Sequence, residues 1–458
     1  MFAGRKNELK KLGGLYNSGK FECVIIHGRL RVGKTALLRE FIKDKRSIYF
    51  VAQETSSREN LHYLANSVEM LSREMGTRSQ EISSYKEVFE SVFKLAQKER
   101  IILIIDDYEF LADACRGISE LIRNYIDQWL ISSQLMLVIC GSSETAMQRE
   151  TLSDESPFHG RRTAQIKLQP FTFFETKHYY NSFSSFDIAV IYGMTGGVPK
   201  YLEFMDPDLP IEMNIQRAFF DMSSFFLEEP ANILRREVRD PAYYNAVLKA
   251  IATGCTKNCD IAGAVGLETS ACTAYLKNLI TLGLVSKHKP LTEKAVKKTV
   301  YEIEDGMFRF WYRFVPDNMS LIQGGLADRI WRGVAREIHE HMRQVFRDIC
   351  RQWVLQRNNA CRLPVRFSET GRWWGVDPIL KTDMDVPIVA CLDDSHALFA
   401  DCVWSDEPTG VNALISLEDR SRLFRHPNRY LFLFSRSGFT DECALLAVEL
   451  GANLVMFE

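Results

Sequence analysis

The chain runs to 458 residues with a formal net charge of −2, 46% hydrophobic and 25% charged residues. That length is long for one hydrophobic core and predicts roughly two to four domains, while the near-neutral charge requires any nucleic-acid binding to rest on a local basic patch. No apolar run approaches the roughly 20 residues that span a bilayer, and Met1 to Lys6 leads straight into charges instead of a signal-peptide core, so a cytoplasmic protein without a membrane partner is expected. The 11 cysteines lie mainly inside apolar segments such as Val138-Ile139-Cys140 and read as reduced thiols; Cys255, Cys259 and Cys272 lack a histidine at zinc-finger spacing.

From the N terminus to about residue 168, β-branched runs at 22–27, 47–51, 101–105, 135–140 and 164–168 alternate with amphipathic helical stretches, the pattern of a parallel sheet wrapped by helices. Tyr85, Val88, Phe89, Val92 and Phe93 share one helical face, which is expected against that sheet. The first strand leads into Gly28-Arg29-Leu30-Arg31-Val32-Gly33-Lys34-Thr35, and Ala36 opens a helix-like stretch. Glycines let the backbone N–H groups of such a loop turn inward around phosphates, Lys34 reaches the β and γ oxygens, and the Thr35 hydroxyl is placed to ligate Mg²⁺. A nucleoside triphosphate site is predicted; a chance match would usually lack the strand before the loop and the helix after it.

Hydrolysis needs acids beside that loop. The run 101–105 ends in Asp106 and Asp107, which puts Asp106 near Mg²⁺ and Asp107 where it can polarise an attacking water. Asp107 is one methylene shorter than the glutamate more usual at this place, which predicts slow turnover. The run 135–140 ends in Gly141-Ser142-Ser143, so Ser142 or Ser143 is placed to report the γ-phosphate. Arg161, beside Arg162, offers a cation for developing phosphate charge, with a solvated surface pair as the plainer alternative.

Beyond Pro170 the strand signal stops. A helical section over 171–240 reads as a lid on a core of residues 1–170. Residues 241–318 read as a winged helix-turn-helix: a short helix and glycine turn over 260–267, a second helix over 270–280 with Tyr275, Leu276, Leu279 and Ile280 buried, and a basic hairpin after it. Thr273, Lys277 and Asn278 would face a DNA groove, and Lys294, Lys297 and Lys298 its phosphates; a protein-binding module with a solvated lysine hairpin is the alternative. Over 319–458 a long amphipathic helix around 338–355 precedes strands at 386–390, 397–403 and 430–435.

Phe2-Ala3-Gly4-Arg5-Lys6-Asn7-Glu8-Leu9, the loop with Arg29 and Arg31, Ile105-Asp106-Asp107, Gly141-Ser142-Ser143, Pro157-Phe158-His159-Gly160-Arg161 and Gly196-Gly197-Val198-Pro199-Lys200-Tyr201-Leu202 together resemble the archaeal and bacterial ATPase family of the AAA+/STAND branch of P-loop proteins. The resemblance implies an α/β fold: a P-loop NTPase parallel sheet in which an extra strand separates the loop strand from the acid strand, a helical lid, a winged helix-turn-helix, and a C-terminal α/β restriction-endonuclease-like domain. It also implies ATP as the nucleotide, with Phe2, Gly4 and Arg5 near the adenine; Leu30 departs from the arginine often found at its position. The aromatic run 305–314 is similar to the signature that leads into the last domain, whose first carboxylate is matched by Asp385. There Asp401-Cys402-Val403 stands where an acid-x-lysine is usual, and Arg347 where a glutamate is usual. The resemblance thus implies a degenerate nuclease site at Asp385 and Asp401, with Lys381 the nearest lysine to stand in.

These readings converge on a cytoplasmic Mg-dependent ATPase that couples ATP binding and slow hydrolysis to double-stranded DNA binding by its C-terminal half. The alternatives are a STAND-type switch with a protein partner and an ATP-gated nuclease. Homo-oligomerisation stays open, because Arg161 could act within its own chain or on a neighbour.

Overall fold

The apolar runs of the N-terminal half fold as strands β1 (Glu22–His27), β2 (Ser47–Val51), β3 (Ile101–Asp106), β4 (Leu135–Gly141) and β5 (Ala164–Lys167); the computed structural model describes residues 2–77, 81–180, 182–291, 298–376 and 381–457. All pairs are parallel, in the order β2-β3-β4-β1-β5. β4 therefore separates the loop strand β1 from the acid strand β3, as the resemblance implies. Strands β1, β3 and β4 are buried along their whole length because successive side chains point to opposite layers and both layers are covered. Val24, Ile26, Ile102, Ile104 and Val138 pack with Leu12, Leu37, Leu38 and Phe41 of helices Lys6–Asn17 and Lys34–Ile42. Cys23, Ile25, Leu103, Ile105 and Ile139 pack on the other side with Tyr85, Val88, Phe89, Val92 and Phe93 of helix Tyr85–Lys98.

This sheet belongs to a unit made of Met1–Phe171, Val198–Glu203 and Asn232–Arg239. Segment 171–240, expected as a lid, is divided between two units. Helices Phe173–Tyr179, Ser185–Thr195 and Ile211–Phe219 belong to a second unit, with everything from Asp240 onward. Helix Ser185–Thr195 shows why: Ile188, Ala189, Val190, Ile191 and Met194 are all buried, and a helix apolar nearly all round is a core element, not a two-faced cover.

Within the second unit, helices Ala242–Ala252, Asn258–Val265 and Thr269–Thr281 precede the antiparallel pair β6 (Val285–His288) and β7 (Val300–Ile303); Lys294 and Lys297 lie outside the described residues. Helix Thr269–Thr281 buries Cys272, Leu276 and Leu279. The expected burial of Ile280 is corrected: it is 36% exposed, because at about 100° per residue it stands at the rim of the stripe that Cys272, Leu276 and Leu279 line. After the 33-residue helix Ala327–Asn359, strands β8 (Glu369–Val376), β9 (Asp383–Cys391), β10 (His396–Val403), β11 (Asn428–Ser435) and β12 (Asn453–Met456) form one mixed sheet in that order. β8, β9 and β10 run antiparallel and β10, β11 and β12 parallel, the mixed α/β architecture expected for this region. No helix among the described residues is long and apolar enough to cross a membrane.

Candidate ATP site

The loop after β1 can leave the sheet only through glycine. At Gly28, φ is +147° and an added Cβ would lie 2.3 Å from the Leu168 carbonyl oxygen. Arg31 (φ 70°) and Gly33 (φ 93°) are left-handed, turns of the kind that gather backbone N–H groups into an anion nest. Lys34 is buried, and its Nζ donates to the Gly28 and Arg29 carbonyls at 2.8 and 2.9 Å. Val32 is buried, Arg29, Leu30 and Arg31 are half-buried, and Ala36 is exposed on the first helical turn. Arg5 braces the loop from behind: its Nη2 donates to Val32 O at 2.9 Å and to Gln169 O at 2.6 Å, and its guanidinium lies 4.7 Å from the Phe171 ring centre.

Two loops further along the same sheet edge meet this one. Asp106, 2% exposed, accepts at Oδ2 from Thr35 Oγ1 (2.8 Å) and from Tyr49 Oη (2.6 Å), and at Oδ1 from the Asp107 N–H (3.1 Å). A hydroxyl and a carboxylate brought to one point are hard oxygen donors and fit Mg²⁺. Burial and the Asp106 charge push the Tyr49 phenol far up, so it remains a donor. Asp107 takes the left-handed backbone (φ 51°) that starts helix Tyr108–Ala114 and accepts from Ser142 Oγ at 3.3 Å. Burial and Asp106 raise its pKa, opposed by Lys34, Ser142 and Arg236. Ser143 turns elsewhere: it caps helix Glu144–Met147 and donates to Glu237 Oε2 at 3.1 Å.

Three contributors carry no motif. Tyr49 is one. Glu109 is another: it is buried, and its Oε1 accepts the backbone N–H groups of Ser142 (3.0 Å) and Ser143 (3.1 Å), fixing the tip of β4. The third is Arg236, whose guanidinium lies 5.5 Å from the Phe110 ring centre and which lines a cavity of about 610 Å³ with Leu30, Ser142, Ser143 and Glu237. Sequence offers no way to pick Arg236 out of Arg235-Arg236-Glu237-Val238-Arg239.

Arg161 is not brought to this place within the chain. It precedes β5, whose Ala164 pairs with Val24 near the start of β1, and its Nε and Nη2 hold the Asp127 carboxylate at 2.6 and 2.7 Å. That is the opposite end of the strands from the phosphate loop. Arg162 donates to the Thr151 and Leu152 carbonyls, both at 2.9 Å.

In the second unit, Thr273 Oγ1 donates to Thr269 O and accepts from Asn258 Nδ2, each at 2.8 Å, and Asn278 Nδ2 donates to Tyr244 Oη at 2.7 Å. Lys277 is exposed. Lys298 lines a cavity with Trp374. Asp385 Oδ2 accepts from Arg372 Nε (2.9 Å) and Nη2 (2.6 Å) and lies 3.5 Å from Arg347 Nη1. Asp401 pairs with Arg420, whose Nη1 donates to the Asp385 carbonyl at 2.7 Å. The arginine in the usual glutamate position therefore stands against the remaining acid, and no metal-binding cluster of three or more His, Cys, Asp or Glu side chains occurs among the described residues.

Residues 2–205 match a family described as an ATPase domain predominantly from Archaea, and residues 311–415 match a family of archaeal and bacterial proteins of unknown function. An uncharacterized protein of Methanocaldococcus jannaschii is 29% identical over 408 residues, 89% of this chain and 88% of its own length. An uncharacterized ATP-binding protein of the same organism is 44% identical over 46 residues, 10% of this chain and 78% of its own length. Among solved structures, the Walker-type ATPase of Pyrococcus abyssi shares the fold with a TM-score of 0.52 at 18% identity, covering 68% of this chain and 96% of that one. With the phosphate loop and strand-end acids in the arrangement described, residues 2–205 are an ATPase domain of the family found predominantly in Archaea, and residues 311–415 belong with the archaeal and bacterial family of unknown function.

Proposed function

We propose that this ATPase core binds Mg·ATP, hydrolyses it slowly, and couples its nucleotide state to double-stranded DNA binding by the C-terminal half. The observation that carries the proposal is the meeting of Thr35 and Asp106 at 2.8 Å beside Lys34 and its left-handed loop. Lys34 would neutralise β and γ oxygens, while Thr35 and Asp106 would hold Mg²⁺, which when bound polarises the phosphoryl group. Asp107, oriented by Ser142, would accept the proton of the attacking water. Glu109 positions Ser142 through its backbone, and Arg236 would supply a cation from within the same chain.

The DNA half of the proposal is supported by exposed Lys277 and by the lysine-rich sequence between β6 and β7, which includes Lys294, Lys297 and Lys298. A switch with a protein partner is the second reading, favoured by the ties of Thr273 and Asn278 to neighbouring helices. Because arginines hold Asp385 and Asp401, the tail is proposed to bind, not to cut. The deciding experiment is ATP turnover with and without duplex DNA for the parent chain and Lys34→Ala. It is paired with DNA binding across a salt series for the parent and for Lys294, Lys297 and Lys298 changed together to glutamate. No turnover would sink the ATPase proposal; duplex binding indifferent to those lysines would transfer the C-terminal half to the protein-partner reading.

A further inference from the structure

The second unit contains a cavity of about 370 Å³ walled by five arginines: Arg309, Arg313, Arg343, Arg347 and Arg372. Their acids do not cover them evenly. Arg309 pairs with Asp348 at 3.0 Å and Arg313 with Glu337 at 3.4 Å. Arg372 takes both Asp385 (2.6 Å) and Glu302 (3.0 Å). Arg347 is left with the same Asp385 oxygen at 3.5 Å, and Arg343 makes no ion pair among the described residues. Glu340, the other carboxylate on the wall, lies 3.8 Å from Arg336.

Arg343 and Arg347 stand one turn apart on helix Ala327–Asn359, where like charges repel unless an anion lies between them. Arg309 is 9% exposed, and its Nε has no hydrogen-bond partner. His341 also lines the cavity; burial, Arg309 and Arg313 pull its pKa down to about 3, as expected beside an excess of positive charge.

We propose that this arginine-walled cavity binds a phosphate group, as the free ion or as a monoester, held by Arg343 and Arg347 from one helix and by Arg309 from another. Guanidinium forks match phosphate oxygens in pairs, and the volume suits a phosphate carried on a nucleotide-sized group. A second cavity of about 670 Å³ shares Thr256, Glu302 and Arg372 with the first and adds Lys257, Lys298 and Trp374, room for what the phosphate is attached to. The site lies outside the phosphate loop and does not depend on the helix-and-hairpin reading of DNA binding.

The test uses the full chain carrying Lys34→Ala, so that the phosphate loop contributes least, and two probes: inorganic phosphate, and a short single strand with or without a 5′-phosphate. Binding is read by fluorescence anisotropy and by thermal shift. A 5′-phosphate that tightens binding roughly tenfold or more, with the gain lost in Arg343→Gln/Arg347→Gln and kept in Arg336→Gln, supports a strand-end phosphate. A thermal shift from inorganic phosphate alone, lost in the same double variant, supports the free ion as occupant. Both variants alter exposed or half-exposed side chains, and circular dichroism checks that each is folded. The proposal is overturned if neither probe responds to phosphate, or if the response survives the double variant. Neither result depends on ATP turnover or duplex binding.

Discussion

Tyr49 donates its phenolic hydrogen to Asp106 Oδ2 at 2.6 Å, the oxygen that also receives the Thr35 hydroxyl. A buried carboxylate needs such donors, and a hydrogen bond to a charged group contributes about 1.5–3 kcal/mol. Tyr49→Phe should lower stability by about 1–2 kcal/mol in urea unfolding without nucleotide, leaving the far-UV spectrum unchanged. No loss would mean that Thr35 alone satisfies Asp106 Oδ2.

Asp107→Asn would remove the proposed base but keep its shape. ATP turnover should fall by about 10²-fold or more, whereas affinity for a fluorescent ATP analogue should stay within a few-fold. Lys34→Ala should weaken both. Phosphate release and equilibrium binding, measured side by side, separate the two effects, and equal losses of binding would contradict a role for Asp107 in the chemical step.

Arg236 and Arg161 make opposite forecasts. Arg236→Ala should reduce turnover by about tenfold or more at any protein concentration, as expected for an in-chain cation acting on transferred charge. Arg161→Ala should leave turnover of the dilute chain unchanged, since its guanidinium is engaged by Asp127 at the far end of the strands. A defect in Arg161→Ala confined to high protein concentration would instead reveal a contribution to a neighbouring copy.

His341 sets a pH dependence of stability. Its folded-state pKa, about 3, lies below the ordinary histidine value near 6.5, so the unfolded chain takes up a proton that the folded chain refuses. The neutral side chain therefore costs nothing above about pH 6.5, and stability is lost as pH falls from there toward 3, at up to about 1.4 kcal/mol per unit. His341→Gln should flatten that slope in urea unfolding at pH 7.0, 6.0 and 5.0. Equal slopes in both proteins would show that His341 protonates in the fold.

Much of the core was legible because its signals are local. The β-branched runs at 22–27 and 47–51 coincide with β1 and β2, and those at 101–105 and 135–140 end one residue short of β3 and β4, since a buried parallel strand is a continuous apolar stretch. What stayed hidden depends on partners distant in sequence. Tyr49 looks like any strand aromatic until β2 lies beside β3 with Val51 level with Asp106. Glu109 reads as the second residue of a helix, yet its carboxylate ties down a strand tip 33 residues on. β8 was not legible as a strand because Gly371, Gly375 and Arg372 break its apolar pattern; its register against β9 is what brings Arg372 to Asp385. The resemblance puts Arg347 where a glutamate is usual, but only the fold shows which carboxylate it faces.

The left-handed backbone at Asp107 (φ 51°, ψ 45°) bears on any effort to speed this enzyme up. Aspartate and asparagine tolerate that conformation better than longer residues because their short polar side chains bond locally. Lengthening the proposed base to glutamate would carry its oxygens farther while asking the helix start to adopt a less favoured geometry. Reach and backbone comfort are opposed at this one residue, so a faster variant needs the turn redesigned together with the acid.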